Sequence, residues 1–468
     1  MQLPFGLQQL LEWSPPTFGL YSMLESFLRS VTSCLPLPIF ALYEGVIRRI
    51  YAVIVPSATR EQTITQQIVN AAGFVDMCAL YGYSVEEHIV KTTDGYLLGV
   101  HRIYRSKCEI THEVPPQEIV YFQHGLLGNS ENFVCVTDPK RCLPFLLVEQ
   151  GYDVWLGNNR GNKYSRRHVS LQSTENAFWN FSVDEFALYD IPNTVDYILS
   201  MTGQKALAYV GFSQGSAQAF AALSIRPQLN DQVKVIVGLS PAMAPRKLRL
   251  GIIDELIKSS PSVLYFFLGR KAILSSTINW QRILHPSLFV RMVDTLLNFL
   301  FGWHGKEISF QQKVAAYSRL GGIASVKTIV HWFQIMRHSR FQMFDDGISS
   351  PLRRYGDAFY KSTQFPTRNI RSPICLIYGT SDSLLDIDSM LRELPSHVLA
   401  IPVKDYEHLD IIWGKEVHYL VIPRVLSVLD KYLYVPVNRL ADLESHARSE
   451  SCNEKSKTLG RFRHSCVK

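Results

Sequence analysis

The chain has 468 residues, enough for one large α/β domain with insertions, and 47% of them are hydrophobic against 19% charged, an apolar balance that leans toward contact with lipid. The formal charge of +7 comes from Lys and Arg spread along the chain rather than gathered with aromatics in one patch, which argues against nucleic acid as a partner. Eight cysteines show neither C-x-x-C pairs nor Cys/His spacing suited to zinc, so the expectation is free thiols in a reducing compartment, with no metal and no cofactor.

The opening "MQLPFGLQQLLEW" has no basic n-region and no small-residue cleavage site, and does not read as a secretory signal. Residues 17–55 are strongly apolar but are interrupted by Glu25, Arg29, Glu44, Arg48 and Arg49. The longest uncharged stretch, Ser30 to Tyr43, contains Pro36 and Pro38 and falls short of the roughly 20 residues a spanning helix needs. Two amphipathic helices meeting at a proline bend fit better, and residues 1–70 are read as a membrane-associated segment that anchors the chain to a membrane or a lipid droplet. The competing reading is a helix pair packed on the main domain.

From residue 71 short apolar runs alternate with helical ones. "YSVEEHIVKTTDGYLLGVHRIY" reads as a hairpin turning at Asp94-Gly95. The runs "EIVYFQ", "YDVWLG", "ALAYVG", "VKVIVGLSP", "PICLIYG" and "HVLAIPV" are continuously apolar, as strands covered on both faces are, with "SVDEFALYDIPNTVDYILS" and "QGSAQAFAALS" as helices between them. This alternation predicts a mostly parallel sheet wrapped by helices. The core is expected over 71–240 and 371–440, split by a helical, aromatic-rich insertion at 241–370 that reads as a cap over an apolar cleft. Residues 441–468 are polar and basic and read as a disordered tail.

Strand "ALAYVG" runs into "FSQGSAQ", which sets Ser213 on a sharp strand-to-helix turn, where a hydroxyl is held out of the sheet and the small neighbours Gly211 and Gly215 avoid clashes. A serine hydroxyl needs a base, and a base needs an orienting carboxylate. On such a sheet the acid and then the histidine follow the serine in the chain, each on a loop after a strand. Asp382 lies directly after "PICLIYG"; Asp386 and Asp388 lie further on and read as helix caps or surface. His408 follows "HVLAIPV", whereas His397 and His418 fall at a strand start and within a helix. Oxyanion donors are expected from the backbone N–H groups of Gln214 and of Leu126 in "FQHGLLGNSENF", with His124 and Gly125 shaping that loop.

The segments "HGLLGNSENF", "GYDVWLGNNRGNKYSRRH", "FWNFSVDEFALYDIPNTVDYIL", "GFSQG", "YGTSDSLLD" and "YEHLDIIWG" jointly resemble the acid lipase family of α/β-hydrolases, in family order from about Tyr81 to Trp413. The resemblance implies an α/β-hydrolase fold with an inserted helical cap, a carboxylic ester hydrolase, the triad Ser213, Asp382 and His408, and oxyanion donors Leu126 and Gln214. Phe212 stands where animal members commonly have His, and no cysteine lies between Cys142 and Cys375 to form the cap disulfide of secreted members. Both departures bring the chain nearest to the fungal membrane-anchored steryl ester hydrolases, which implies steryl ester substrates and an intracellular place on lipid droplets or endoplasmic reticulum, the catalytic domain facing the cytosol. A triacylglycerol lipase remains as an alternative within the same mechanism, and a non-catalytic droplet-binding protein as one of another class. Protein partners are not legible.

Overall fold

In the hairpin Tyr83–Lys91 (β1) and Tyr96–Arg105 (β2), the turn is set by Gly95, whose φ of +99° is open to glycine, and by the Thr92 hydroxyl donating to Asp94 Oδ1 at 2.6 Å. The computed structural model describes residues 59–105, 117–245, 257–273, 286–320, 322–345 and 363–433. The strands that follow are Ile119–Gln123 (β3), Asp153–Leu156 (β4), the two-residue Arg167–His168 (β5), Leu207–Phe212 (β6) and Val233–Leu239 (β7). After the short Ala272–Ile273 (β8) and Ala324–Ser325 (β9) come Ile374–Gly379 (β10) and Leu399–Val403 (β11). The main sheet has nine strands in the order β1-β2-β4-β3-β6-β7-β10-β11, with β5 paired to β2. β1 and β2 are antiparallel to their neighbours, and every pair from β4 to β11 is parallel.

The continuous apolar runs of β3, β4, β6, β7 and β10 are explained by burial on both faces, whereas β11, at the sheet edge, is buried only at Val403 and departs from that expectation. Val120, Phe122, Ala208 and Val210 enter one core, while Ile119, Tyr121, Leu207 and Tyr209, pointing the other way from the same strands, enter a second. Because β3, β4, β6, β7, β10 and β11 run parallel, the loops after β3, β6, β10 and β11 all leave the carboxyl end of the sheet. Those are the loops that carry Leu126, Ser213, Asp382 and His408.

Helices flank this frame, beginning with Arg60–Asn70 (α1), Leu143–Glu149 (α2), Ile191–Thr202 (α3) and Gln214–Ile225 (α4). Between β7 and β10 lie Pro261–Leu268 (α5), Pro286–Phe301 (α6), Phe310–Tyr317 (α7) and Val326–His338 (α8), the helices expected of the insertion. The insertion is not wholly helical, because β8 and β9 form a small antiparallel ladder within it. Nor does the folded body wait until residue 71. Helix α1 starts on a Thr59–Gln62 capping box, buries Ile68, and ends on the guanidinium of Arg319, which donates to the carbonyls of Ile68, Val69 and Ala71. The apolar segment 17–55 and the tail 441–468 lie outside the described residues. No helix among the described residues is long and apolar enough to cross a membrane.

One buried ion cluster ties the hairpin to the sheet. Arg160, 1% exposed, takes Asp94 in a bidentate pair at 2.6 and 3.0 Å, reaches Asp190 at 2.6 Å, and lies 4.0 Å over the Tyr96 ring. Burial still lifts the Asp190 carboxyl to about 6 against the pull of Arg160. Replacing Arg160 by Met leaves two carboxylates without their cation and is expected to cost about 3–5 kcal/mol in urea unfolding. Arg371→Met, which opens an exposed pair with Asp231, is the control and should leave the urea midpoint unchanged.

Candidate active site

Ser213 sits at φ +53°, ψ −117°, between β6 and α4. The turn is imposed by close packing around it. A Cβ on Gly215 would lie 2.2 Å from the Gln123 carbonyl oxygen, and one on Gly211 would lie 2.6 Å from the Ser216 nitrogen. Gly125 faces the same point from the loop after β3, where a Cβ would come within 3.0 Å of Ser213 Cβ. Ser213 occupies the N-cap position of α4, yet its side chain makes no capping hydrogen bond. The positive φ turns the hydroxyl away from the N–H groups that an ordinary N-cap serine would satisfy, so it is kept for something else.

The acid loop leaves β10 at Gly379, where a Cβ would lie 2.0 Å from the Tyr406 carbonyl oxygen, so the acid and base loops are in contact at this glycine. Asp382 Oδ1 accepts from Leu384 N at 3.0 Å, which fixes the carboxylate and leaves Oδ2 for His408 Nδ1 at 2.7 Å. Both side chains are buried. With Nδ1–H donated to a carboxylate, Nε2 is left as the basic nitrogen. The main chain of His408 is anchored as well, its carbonyl accepting from the Ser240 hydroxyl at 2.7 Å. Asp386 caps the helix Ile387–Glu393 (α9) by accepting from Ser389 N, as a residue outside the site would. No hydrogen bond joins the Ser213 hydroxyl to His408 among the described residues; Phe212, next to Ser213, packs on the imidazole at 5.3 Å between ring centroids.

In the loop after β3, His124 donates from Nδ1 to the Gly125 carbonyl at 2.7 Å and accepts at Nε2 from Asn159 N at 3.0 Å. Burial pushes its pKa down to about 4, so it is a neutral structural link and not a base. Leu127, just beyond, adopts φ +57°, and the N–H groups of Leu126 and Gln214 have no acceptor among the described residues. Two free donors beside a strained serine are what an oxyanion requires.

The cap reaches the site in three places that sequence reasoning missed. Trp332 on α8 donates its indole N–H to Gln214 Oε1 at 2.7 Å, and Gly322 N donates to the Leu127 carbonyl at 2.9 Å. Trp303 stacks on His408 with 4.9 Å between centroids and 5° between planes. The dense aromatics of the insertion were a composition signal, but nothing local marks which of them turn inward. A cavity of about 650 Å³, lined by Phe301, His304, Ser383, Glu407 and Asp410 among others, opens beside the loop that carries Asp382. Its rim is partly charged and does not include Ser213, so the apolar cleft expected under the cap is not formed there among the described residues.

Comparison with known proteins agrees with this fold. The α/β hydrolase fold model matches residues 118–415, and a partial α/β-hydrolase lipase region matches 74–137. A Schizosaccharomyces pombe chain named a probable lipase is 47% identical over 81% of this chain and 81% of its own. The lysosomal acid lipase/cholesteryl ester hydrolase of Rattus norvegicus is 33% identical over 75% of this chain and 89% of its own. The gastric triacylglycerol lipase of Bos taurus is also 33% identical, over 75% and 90%.

His124 provides a test with a fixed sign. Its value falls from the ordinary 6.5 to about 4 in the fold, so as pH drops the unfolded chain takes up the proton first. The stability contributed by the neutral imidazole is complete above pH 6.5 and is lost between 6.5 and about 4. His124→Gln is therefore expected to unfold about 1–3 kcal/mol more easily in urea at pH 7.5, with the gap to wild type narrowing toward pH 4.

Proposed function

The chain belongs to the acid lipase family of α/β-hydrolases and is a carboxylic ester hydrolase; from that premise we propose that it cleaves steryl esters to sterol and fatty acid, with Ser213 as nucleophile, His408 as base and Asp382 as its orienting acid. His408 Nε2 takes the proton as Ser213 Oγ bonds to the ester carbon, and the carbonyl oxygen becomes an oxyanion held by the N–H groups of Leu126 and Gln214. The same proton passes to the sterol oxygen as the ester C–O bond breaks, leaving the acyl group on Ser213. Water, deprotonated by His408, then attacks the acyl carbon; the Ser213–acyl bond breaks and the hydroxyl regains its proton. Asp382 keeps Nδ1 protonated throughout and offsets the charge of the imidazolium.

The observation that carries the steryl reading is the apolar enclosure of the base. Phe212 and Trp303 pack on the His408 ring, with Phe301 stacked behind Trp303, and the base is where the leaving alcohol must receive its proton. A sterol is hydrocarbon apart from its hydroxyl, whereas a diacylglycerol brings two more ester groups that would need partners there. Relatives named for cholesteryl esters and for triacylglycerol match at equal identity, so their names do not choose between the two.

The same reading places the enzyme on a lipid surface inside the cell, on droplets or endoplasmic reticulum with the catalytic part in the cytosol. The apolar sequence of residues 17–55, broken by Glu25, Arg29, Glu44, Arg48 and Arg49, supports an interfacial anchor. Among the described residues, Phe266 and Phe267 on α5 are 83% and 70% exposed, and Leu288, Met292, Leu296 and Phe299 form an exposed apolar stripe on α6. These faces suit burial in lipid better than in water.

Purified full-length protein assayed on cholesteryl oleate and triolein side by side is expected to favour cholesteryl oleate, and Ser213→Ala is expected to lower turnover by roughly 10³-fold or more. Activity on triolein alone would remove the steryl reading and leave the lipase. Deleting residues 1–58 should release the protein from floating droplets in a sucrose gradient; retention on the droplets would contradict the anchor.

A further inference from the structure

Helix α6 ends at Phe301, and Gly302, at φ +76°, turns the chain back toward the sheet. The strap that follows is fastened to both candidate catalytic loops. The Ser383 hydroxyl, one residue beyond Asp382, donates to the Phe301 carbonyl at 2.5 Å. On the other side the Glu407 carboxylate, one residue before His408, accepts from His304 N and Gly305 N, each at 2.8 Å. Lys415 N closes the strap by donating to the Glu307 carbonyl at 2.8 Å. Between these fastenings the Trp303 indole is buried and lies nearly parallel to the His408 imidazole, with Phe301 stacked on it at 4.4 Å. The indole N–H has no partner among the described residues. A buried unpaired N–H carries a desolvation penalty that Leu would avoid at the same place, so the flat, electron-rich aromatic face needs a use of its own.

We propose that Trp303 is a positioning residue for the base, whose indole face holds the His408 ring in the plane of its hydrogen bond to Asp382 and stabilises the imidazolium that forms when Ser213 gives up its proton. The proposal rests on the reading of His408 as base. A cation over an aromatic face is attracted by the ring's quadrupole, and the imidazolium exists only after proton transfer has begun, so the contact favours the transition state over the ground state. Because the strap is fastened beside both Asp382 and His408, the base is fully oriented only while the cap is seated.

The test compares Trp303→Leu, Trp303→Phe and Phe301→Leu on a short water-soluble p-nitrophenyl ester, with folding followed by circular dichroism. Trp303→Leu is expected to lose about 5- to 30-fold in kcat with KM little changed, and Trp303→Phe to recover most of it. The titratable groups around the imidazole are Asp382 across the hydrogen bond, Glu407 and Asp410 on its own loop, and His304 on the strap; none is altered. The acid limb of kcat/KM should therefore move to lower pH in Trp303→Leu and stay near wild type in Trp303→Phe. Wild-type kcat in Trp303→Leu, a change confined to KM, or a rise in kcat would overturn the proposal, the last making the indole a plug. Should Trp303→Leu not fold, Phe301→Leu removes only the backing ring, and a kcat equal to wild type there overturns it as well. His408→Asn separates the two readings: if it keeps activity the triad falls and Trp303 with it, whereas loss in His408→Asn beside wild-type kcat in Trp303→Leu removes Trp303 alone.

Discussion

Ser213 is held at a backbone conformation that L-residues avoid, at φ +53°, a strain on the order of 1–3 kcal/mol that the surrounding structure must offset. The offset comes from packing that leaves no alternative path. Strand β6 and helix α4 meet so closely that Gly211 and Gly215 have no room for a side chain, and Gly215 presses on the carbonyl of Gln123 at the end of β3. The Ser213 N–H is held by the Leu239 carbonyl of β7 at 2.9 Å, which pins the turn to the next strand as well. Three adjacent parallel strands and one helix thus fix a single residue.

Once that turn is fixed, the remaining parts fall into place by strand order. β3 lies on one side of β6 and β7 on the other, so the loop that carries Leu126 and the turn at Ser240 flank the serine. β10 and β11, further along the same edge, bring Asp382 to His408. What the sheet does not supply comes from the cap. Trp332 orients the side chain of Gln214, Gly322 supports the carbonyl of Leu127, and Trp303 lies against His408. Core and cap therefore meet at the candidate site, where Trp332, Gly322 and Trp303 of the insertion touch Gln214, Leu127 and His408.

Much of this was legible in the chain. The strands β3, β4, β6, β7 and β10 could be read because burial on both faces makes them continuously apolar, whereas the edge strand β11 is apolar but largely uncovered; Ser213, Asp382 and His408 could be placed because each follows an apolar run on a short loop. The Asp94-Gly95 turn was local chemistry and needed no tertiary knowledge. Trp303 and Trp332 were not legible as neighbours of the candidate site, since a buried tryptophan in an aromatic-rich helical region looks the same whether it packs on a core or on the His408 ring. Arg160 and Arg319 were missed for a related reason. Their partners, Asp94 and Asp190 for one and the carbonyls of Ile68, Val69 and Ala71 for the other, are brought near only by the completed fold. The ladder of β8 and β9 is two residues long on each strand, too short for periodicity to reveal.

The central claim is that the strained turn delivers one activated serine. Treating the full-length protein with a fluorophosphonate and mapping the adduct by peptide mass spectrometry tests it without assuming any substrate. The account predicts a single stoichiometric adduct on Ser213, lost in His408→Asn. An adduct on another residue, or undiminished labelling of Ser213 in His408→Asn, would contradict it.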